Sequence, residues 1–486
     1  MRICFAAAEV APFAKTGGLA DVVAALTRYL QEAGHGVLAF VPAYRRILAG
    51  GWEARPVEGL GDVEVRVGPQ TFRVSFSRLR LPGSEAGVVL VHSPELYDRE
   101  PIYTQDGDEP VRFALLSHAA LAACQHLQWA PDVVHAHDWH AALLPLLVKT
   151  SFAWDRLFSK TRSVLTVHNI GYQGVFSSEA VDRLGLAGER HLLDQDDLRS
   201  GRVNFLKTGL LHADALTTVS QTYAREIQTP ELGAGLDPIL RRRSGALHGI
   251  LNGVDYAVWS PETDPHIAQR YSAGDLAGKV RDKQALMADL GLRFDARVPV
   301  LGIVSRLTAQ KGFDLLPDVL PIFLQREDLR LAVLGSGEEA HERYFQWLQE
   351  TFPDKVCFYR GYNDALAHKI EAGSDIFLMP SRYEPCGLNQ MYSLKYGTIP
   401  VVRRTGGLAD TVRDYDAHGD GGGTGTGFVF EEFTTRALRD ALERALAAWR
   451  DPAAWHRLVQ RAMAQDFSWQ RQGARYVELY ARLVAQ

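Results

Sequence analysis

The sequence predicts an α/β protein made of two doubly wound domains, and three observations predict it. Short, continuously apolar runs recur along the chain, amphipathic helical patterns lie between many of them, and one six-residue phrase occurs twice. An apolar run of strand length without polar alternation suits a strand covered on both faces, as in a parallel sheet. Strands of this kind alternating with helices give the doubly wound arrangement.

In the first half the runs fall at 3–8, 37–41, 87–91, 132–137, 163–167 and 215–219, and in the second at 298–304, 331–334, 356–359, 375–379 and 398–402. Between the first two, residues 20–30 place Val22, Val23, Leu26, Tyr29 and Leu30 on one side of a helix. The repeated phrase is Thr16-Gly17-Gly18-Leu19-Ala20-Asp21 and Thr405-Gly406-Gly407-Leu408-Ala409-Asp410, each time between a strand-like run and a helical pattern. Two glycines there let the backbone turn sharply and aim N–H groups at an anion. Two ordinary turn-to-helix caps would read the same way. We read the phrase as marking two similar domains that face each other.

The seam falls after Asn252-Gly253-Val254-Asp255, where the polar stretch from Ser260 to Pro265 interrupts the alternation. The expected division is 1–255, then 256–465, with 466–486 as a terminal helix that packs back on the first domain. The stretch 421–427, rich in glycine, reads as a surface loop and not as a phosphate loop, because no helix and no lysine follow it.

Composition excludes several classes. A chain of 486 residues, 46% hydrophobic and 23% charged, is long enough to bury two large cores. A formal net charge of -5 leaves no global positive field for a polyanion, and the run Arg241, Arg242, Arg243 is a short solvated face, so no nucleic acid partner is expected. The four cysteines, Cys4, Cys124, Cys357 and Cys386, are far apart without a C-x-x-C pair, which argues against a disulfide framework or a thiolate metal site. The opening Met1-Arg2-Ile3-Cys4-Phe5 lacks the layout of a signal peptide, and no apolar stretch reaches membrane-spanning length. A cytoplasmic protein with no membrane partner is the expectation.

Two constellations follow apolar runs of the second half. In Ser305-Arg306-Leu307-Thr308-Ala309-Gln310-Lys311-Gly312, two cations stand beyond the carboxyl end of a strand, where ligands of open α/β sheets bind. An arginine fork and a mobile lysine there suit a diphosphate. In Pro380-Ser381-Arg382-Tyr383-Glu384-Pro385-Cys386-Gly387-Leu388-Asn389-Gln390, a carboxylate precedes a glycine turn into a helix. Glu384 would hold sugar hydroxyls while the N–H groups of Gly387 and Leu388 receive the distal phosphate. Taken singly, each cation reads equally as surface charge and the glutamate as a solvated loop residue.

These segments, with Lys15-Thr16-Gly17-Gly18-Leu19, His135-Ala136-His137-Asp138-Trp139-His140, Val167-His168-Asn169-Ile170, Gly249 through Asp255, and Arg403-Arg404-Thr405-Gly406-Gly407, resemble in order the motif set of bacterial glycogen synthases and plant starch synthases. The resemblance spans nearly the whole chain, and it implies a retaining glycosyltransferase of two Rossmann-like domains facing a deep interdomain cleft, the GT-B type. It further implies transfer of glucose from ADP-glucose to the non-reducing end of an α-1,4-glucan or maltooligosaccharide, with no cofactor and no metal. The same transfer from UDP-glucose stays open.

Carried over residue by residue, the resemblance gives Arg306 and Lys311 the donor diphosphate, with Tyr362 stacked on the base. Glu384, His168, Asn169, Asp138 and Asn252 would surround the glucose. Lys15, Gly18 and Asp21 would approach from the first domain, Tyr97 would shape the acceptor side, and Cys386, Gly387, Leu388, Asn389 and Thr405 would line the donor. The catalytic set is then Glu384, Lys311, Arg306, His168 and Asp138. Cleavage of the donor builds negative charge on the phosphate and oxocarbenium character at the sugar carbon, which preorganised cations and oxygen acceptors stabilise. A front-face path, in which the leaving phosphate helps deprotonate the acceptor hydroxyl, is the expected route to retention.

Two positions depart from the related pattern. Tyr392 stands where the wider transferase class often has a second glutamate, and Asn389 where the family more often shows threonine. Rival readings are a zinc hydrolase, since His135 through His140 nearly spells H-x-H-x-D-H, and a glucan-binding protein without catalysis. The Asp of that segment comes one residue early for a closed ligand set. The D-x-D pairs at Asp106 and Asp108, Asp194 and Asp196, and Asp414 and Asp416 are short enough to arise by chance in acidic loops.

Overall fold

In the computed structural model, which describes residues 1–415 and 423–486, the apolar runs form the strands of two separate sheets. Gly421 and Gly422 of the expected surface loop, and Asp416 of the third D-x-D pair, lie outside the described residues. One unit comprises Met1–Gly253 with Trp469–Gln486, the other Val254–Ser468. The seam read at 255 thus falls between Gly253 and Val254, and the terminal segment read from 466 begins at Trp469. Gly253 is needed at that point, because a Cβ would come within 2.6 Å of the Trp469 ring.

The strands of the first unit are β1 (Arg2–Ala6), β2 (Gly36–Pro42), β3 (Ala54–Pro56), β4 (Val63–Val67), β5 (Gln70–Arg80), β6 (Gly87–His92), β7 (Val133–His137), β8 (Arg162–Val167), β9 (Val175–Ser177), β10 (Arg202–Asn204), β11 (Ala215–Thr218) and β12 (Leu247–Gly249). The main sheet runs β12-β11-β8-β7-β1-β2-β6-β5-β3, with β4 paired to β5 and a separate β9–β10 ribbon. From β12 to β6 every pairing is parallel, and β3, β4 and β6 each pair antiparallel with β5. The chain winds outward from β1 in both directions, so the order reverses between β1 and β7. The β4–β5 hairpin was not among the expected strands. Its burial alternates along Val63–Val67, because Val63, Val65 and Val67 point inward while Glu64 and Arg66 face water.

The second unit holds β13 (Val300–Leu307), β14 (Arg330–Gly337), β15 (Val356–Arg360), β16 (Ile376–Met379), β17 (Ile399–Arg403) and β18 (Phe428–Phe430). They form one parallel sheet in the order β15-β14-β13-β16-β17-β18. That is the dinucleotide-fold order 3-2-1-4-5-6, with its reversal between β13 and β16, the place where such sheets bind ligands. In both units the cores are apolar: Ile3, Phe5, Val134 and Leu165 are fully buried in the first, and Val300, Leu331, Ile376 and Val401 in the second.

Candidate active site

In the second unit the loops after β13 and β16 are stitched together. The Arg382 N–H donates to Gln310 O at 2.9 Å, and the Asn389 side-chain N–H to Val304 O at 2.5 Å. Gly312 takes φ +71 where a Cβ would lie 2.0 Å from Pro380 O, so the two loops meet backbone to backbone. This contact brings Lys311 Nζ to 2.6 Å from Glu384 Oε2, which also accepts the Ser381 hydroxyl at 3.0 Å. Glu384 is 5% exposed, and its backbone carbonyl accepts the Gly407 N–H at 3.1 Å.

Arg306, at the end of β13, is exposed and has no ion-pair or hydrogen-bond partner for its guanidinium among the described residues. Beside it, Gly335 and Gly337 of β14 run so close to β13 that a Cβ would lie 2.2 Å from Ser305 O and 2.4 Å from Leu307 O. The N–H groups of Gly387 and Leu388 donate to no other group among the described residues, and they stand just before the helix Asn389–Tyr396. At the sheet's reversal point stand a guanidinium and two amides without partners among the described residues, beside a paired ammonium. Thr405 and Cys386 are buried beside it, and Asn389, whose role the sequence left uncertain, fastens its helix to β13. Tyr362 is 75% exposed after β15, its hydroxyl donating to Asp364 Oδ1 at 2.7 Å. The aromatic face is thereby held outward.

In the first unit the polar groups gather after β1, β7 and β8. Glu9, 3% exposed, accepts the Thr16 N–H at 2.5 Å, the Thr16 hydroxyl at 2.6 Å, the Gly17 N–H at 3.3 Å and the Tyr103 hydroxyl. It shapes the turn into the helix Gly18–Glu32, whose first N–H groups have no intrahelical acceptor. Lys15 Nζ pairs with Asp21 at 2.8 Å, and Gly18 is exposed at the helix start.

Asp138 sits directly after β7 at φ +55, a conformation rare for residues with a side chain but tolerated by Asp. Its Oδ1 accepts the His168 N–H at 2.7 Å. Burial raises its carboxyl to about 7, partly offset by the His168 and Asn169 backbone N–H groups. His168 is buried, its ring 3.0 Å from His137, and burial lowers its imidazole to about 3. Asn169 is half-buried, its side-chain oxygen accepting the Gly171 N–H at 3.0 Å. Asn252 is buried with Oδ1 unpartnered.

Two expectations need correction. Tyr97, expected to shape the acceptor side, is fully buried and donates its hydroxyl to Arg112 O at 2.7 Å. It belongs to the core and presents nothing to an acceptor. The zinc-hydrolase reading fails on geometry: His135 is held between the Tyr480 hydroxyl at 2.7 Å and Thr166 at 2.6 Å, while His140 packs against Tyr103 and Trp139. These imidazoles do not converge on one point. The sequence reading also missed Glu9 and the Gly335 and Gly337 pair. For Glu9 the available signal was an acid standing between an apolar strand and a double glycine.

A family model described as the starch synthase catalytic domain matches residues 2–242, and one described as glycosyl transferases group 1 matches residues 291–462. Glycogen synthase of Koribacter versatilis is 45% identical over 99% of this chain and 98% of its own length. Glycogen synthase of Anaeromyxobacter dehalogenans is 46% identical over 99% of each. Among solved structures, the catalytic domain of starch synthase IV from Arabidopsis thaliana, bound to ADP and acarbose, superposes with a TM-score of 0.90 at 35% identity, covering 100% of this chain and 99% of that one. Sucrose-phosphate synthase from Thermosynechococcus elongatus, at 18% identity and a TM-score of 0.59, shares the fold. No helix among the described residues is long and apolar enough to cross a membrane. The chain belongs to the glycogen and starch synthases, hexosyltransferases of the two-domain GT-B fold.

Proposed function

We propose that the chain moves glucose from ADP-glucose, with retention, onto the non-reducing end of an α-1,4-glucan and releases ADP. The observation that carries this reading is the group at the β13–β16 reversal: the unpaired Arg306, the Lys311–Glu384 pair and the open N–H groups of Gly387 and Leu388. Arg306 supplies a cation with no partner among the described residues, so a diphosphate meets uncompensated positive charge there. Glu384 fixes the direction of the Lys311 ammonium, and the amides add donors that need no reorganisation as charge develops. Charge building on the departing phosphate is stabilised by these groups, and the same phosphate takes the acceptor hydroxyl proton on the front face of the sugar.

In this reading Tyr362 offers its exposed ring to the adenine. Asp138, His168, Asn169 and Asn252 serve the glucose, with Lys15, Gly18 and Asp21 acting in the same reaction. Asp138 acts mainly by fixing the His168 backbone. The ADP held by the starch synthase relative supports the adenine donor, and its acarbose supports an oligosaccharide acceptor. A cytoplasmic setting belongs to the same proposal: all four cysteines are free thiols, three of them buried, which suits a reducing compartment.

The test is incubation of the full chain with maltooligosaccharide and either ADP-glucose or UDP-glucose, following nucleotide release and chain length. ADP release with chain growth is expected. Faster turnover of UDP-glucose would overturn the donor, and no elongation with either donor would overturn the transfer.

A further inference from the structure

The second unit carries a side-chain cluster that the transfer reaction does not use. His368, on the helix Asp364–Gly373, is 1% exposed and lies face to face with Trp259, ring centroids 3.7 Å apart at 8°. Trp259 in turn stacks on Tyr392 at 4.0 Å, so the imidazole plane is fixed. His368 Nδ1 is 2.7 Å from Asp264 Oδ2, an oxygen that also accepts the Tyr396 hydroxyl at 2.5 Å. The other oxygen, Oδ1, accepts the His266 backbone N–H at 2.8 Å. One buried carboxylate therefore positions both histidines.

A carboxylate only accepts, so it assigns the ring proton to Nδ1 and leaves Nε2 as a lone pair. That nitrogen is buried and has no hydrogen-bond partner. Around it stand Asp364, one turn earlier on the same helix with Oδ2 at 4.0 Å, and His266, whose ring centroid is 4.8 Å from that of His368. One ligand atom from each of His266, Asp364 and His368 lies within 4.8 Å of the others.

We propose that His266, Asp364 and His368 form a binding site for a borderline divalent ion of the zinc class, next to Tyr362, whose hydroxyl donates to the other Asp364 oxygen. A metal-ligating histidine characteristically gives its second ring N–H to a carboxylate, which fixes the tautomer and raises ligand basicity. Asp264 does this for His368. Two imidazoles and one carboxylate select zinc-like ions over magnesium or calcium, which take oxygen ligands, and three protein ligands leave a fourth position for water. Tetrahedral bonds of about 2.0–2.2 Å require ligand atoms roughly 3.4 Å apart. The exposed His266 and Asp364 side chains close that gap by rotation while His368 stays in place.

The full chain, stripped with a chelator and dialysed, is titrated with Zn²⁺ against a chromophoric competitor, beside the double variant His266→Ala with Asp364→Asn. One tight equivalent per chain is expected for the parent, weakened at least about ten-fold in the double variant, with millimolar Mg²⁺ failing to compete. Zinc should raise the unfolding midpoint of the parent alone. Equal uptake by parent and variant, or none by the parent, would overturn the site, and effective competition by Mg²⁺ would overturn its assignment to the zinc class. Both substituted side chains are exposed, and the single variant His266→Ala repeats the comparison should the double variant fold poorly.

Discussion

The two copies of the Thr-Gly-Gly-Leu-Ala-Asp phrase are identical in letters and different in physics. In the second unit Gly406 lies at φ +45, where a Cβ would come 1.9 Å from Glu384 O, and a Cβ on Gly407 would come 2.0 Å from Cys386 O. Those glycines are required by the protein itself, because they let one backbone lie against the loop that carries Glu384. In the first unit a Cβ on Gly17 would meet nothing within 4 Å, and its φ of -158° is ordinary extended backbone. No contact among the described residues demands glycine there. A repeated phrase thus marks one turn pressed tightly against a neighbouring loop and one turn with open space beside it.

The cations beside the second turn sharpen this contrast most. Arg306→Ala should lower transfer on the order of 10²–10³-fold while unfolding stability stays within about 0.5 kcal/mol, since the side chain is exposed and unpaired. Lys311→Ala should lower transfer as much and also destabilise, because Glu384 then keeps a buried carboxylate without its cation. Steady-state ADP release and urea unfolding separate the two; equal stability loss would break the assignment. Next come the glycines: Gly407→Ala should cost about 3 kcal/mol in unfolding through overpacking, whereas Gly17→Ala should leave stability within about 0.5 kcal/mol and slow transfer. Equal costs would end the comparison.

Glu9→Gln should cost about 1–3 kcal/mol, since an amide offers one oxygen to four donors that now share two, and the loss should appear in urea unfolding. The last effect is on pH dependence. Burial lowers His118 to about 4, and His135 and His168 to about 3, so the unfolded chain takes up protons that the folded first unit refuses. Stability contributed by these neutral imidazoles is present above the unfolded value of about 6.5 and is lost as pH falls toward 4, by about 1.4 kcal/mol per pH unit for each. Asp138, raised to about 7, opposes this with one proton. His118→Leu should therefore make the acid-side slope shallower by one proton, measured as unfolding free energy between pH 6.5 and 4.5; an unchanged slope would remove His118 from the account.

What the sequence made legible follows from how each feature is encoded. The parallel strands were readable because burial on both faces writes continuous apolar runs. The β4–β5 hairpin was passed over because its signal is alternation, Val63-Glu64-Val65-Arg66-Val67, a different period from the one sought. In the second unit the meeting of Lys311 and Glu384 beyond β13 and β16 was readable because residues at strand ends sit next to the strand that announces them. Glu9 and Tyr103 meet across a long stretch of chain, and no spacing advertises such a pair. Tyr97 was misread for the opposite reason: an aromatic near a motif looks available until its hydroxyl is seen inside the core. The His266, Asp364 and His368 cluster was invisible because His266 stands far along the chain from the helix that carries Asp364 and His368, and the two histidines are hydrogen-bonded together through Asp264.

The last helix, Trp469–Val484, completes the unit that the chain began. Its Tyr480 bonds to His135 of β7, and its Gly473 comes so close to Tyr29 that a Cβ would lie 2.3 Å from the ring. A ribosome therefore delivers all of Val254–Ser468 before it delivers the piece that closes the first unit, which waits without its last helix in the meantime. A fragment ending at Gly253 would carry an uncovered flank, and a stop placed before Trp469 would damage the unit made before Val254.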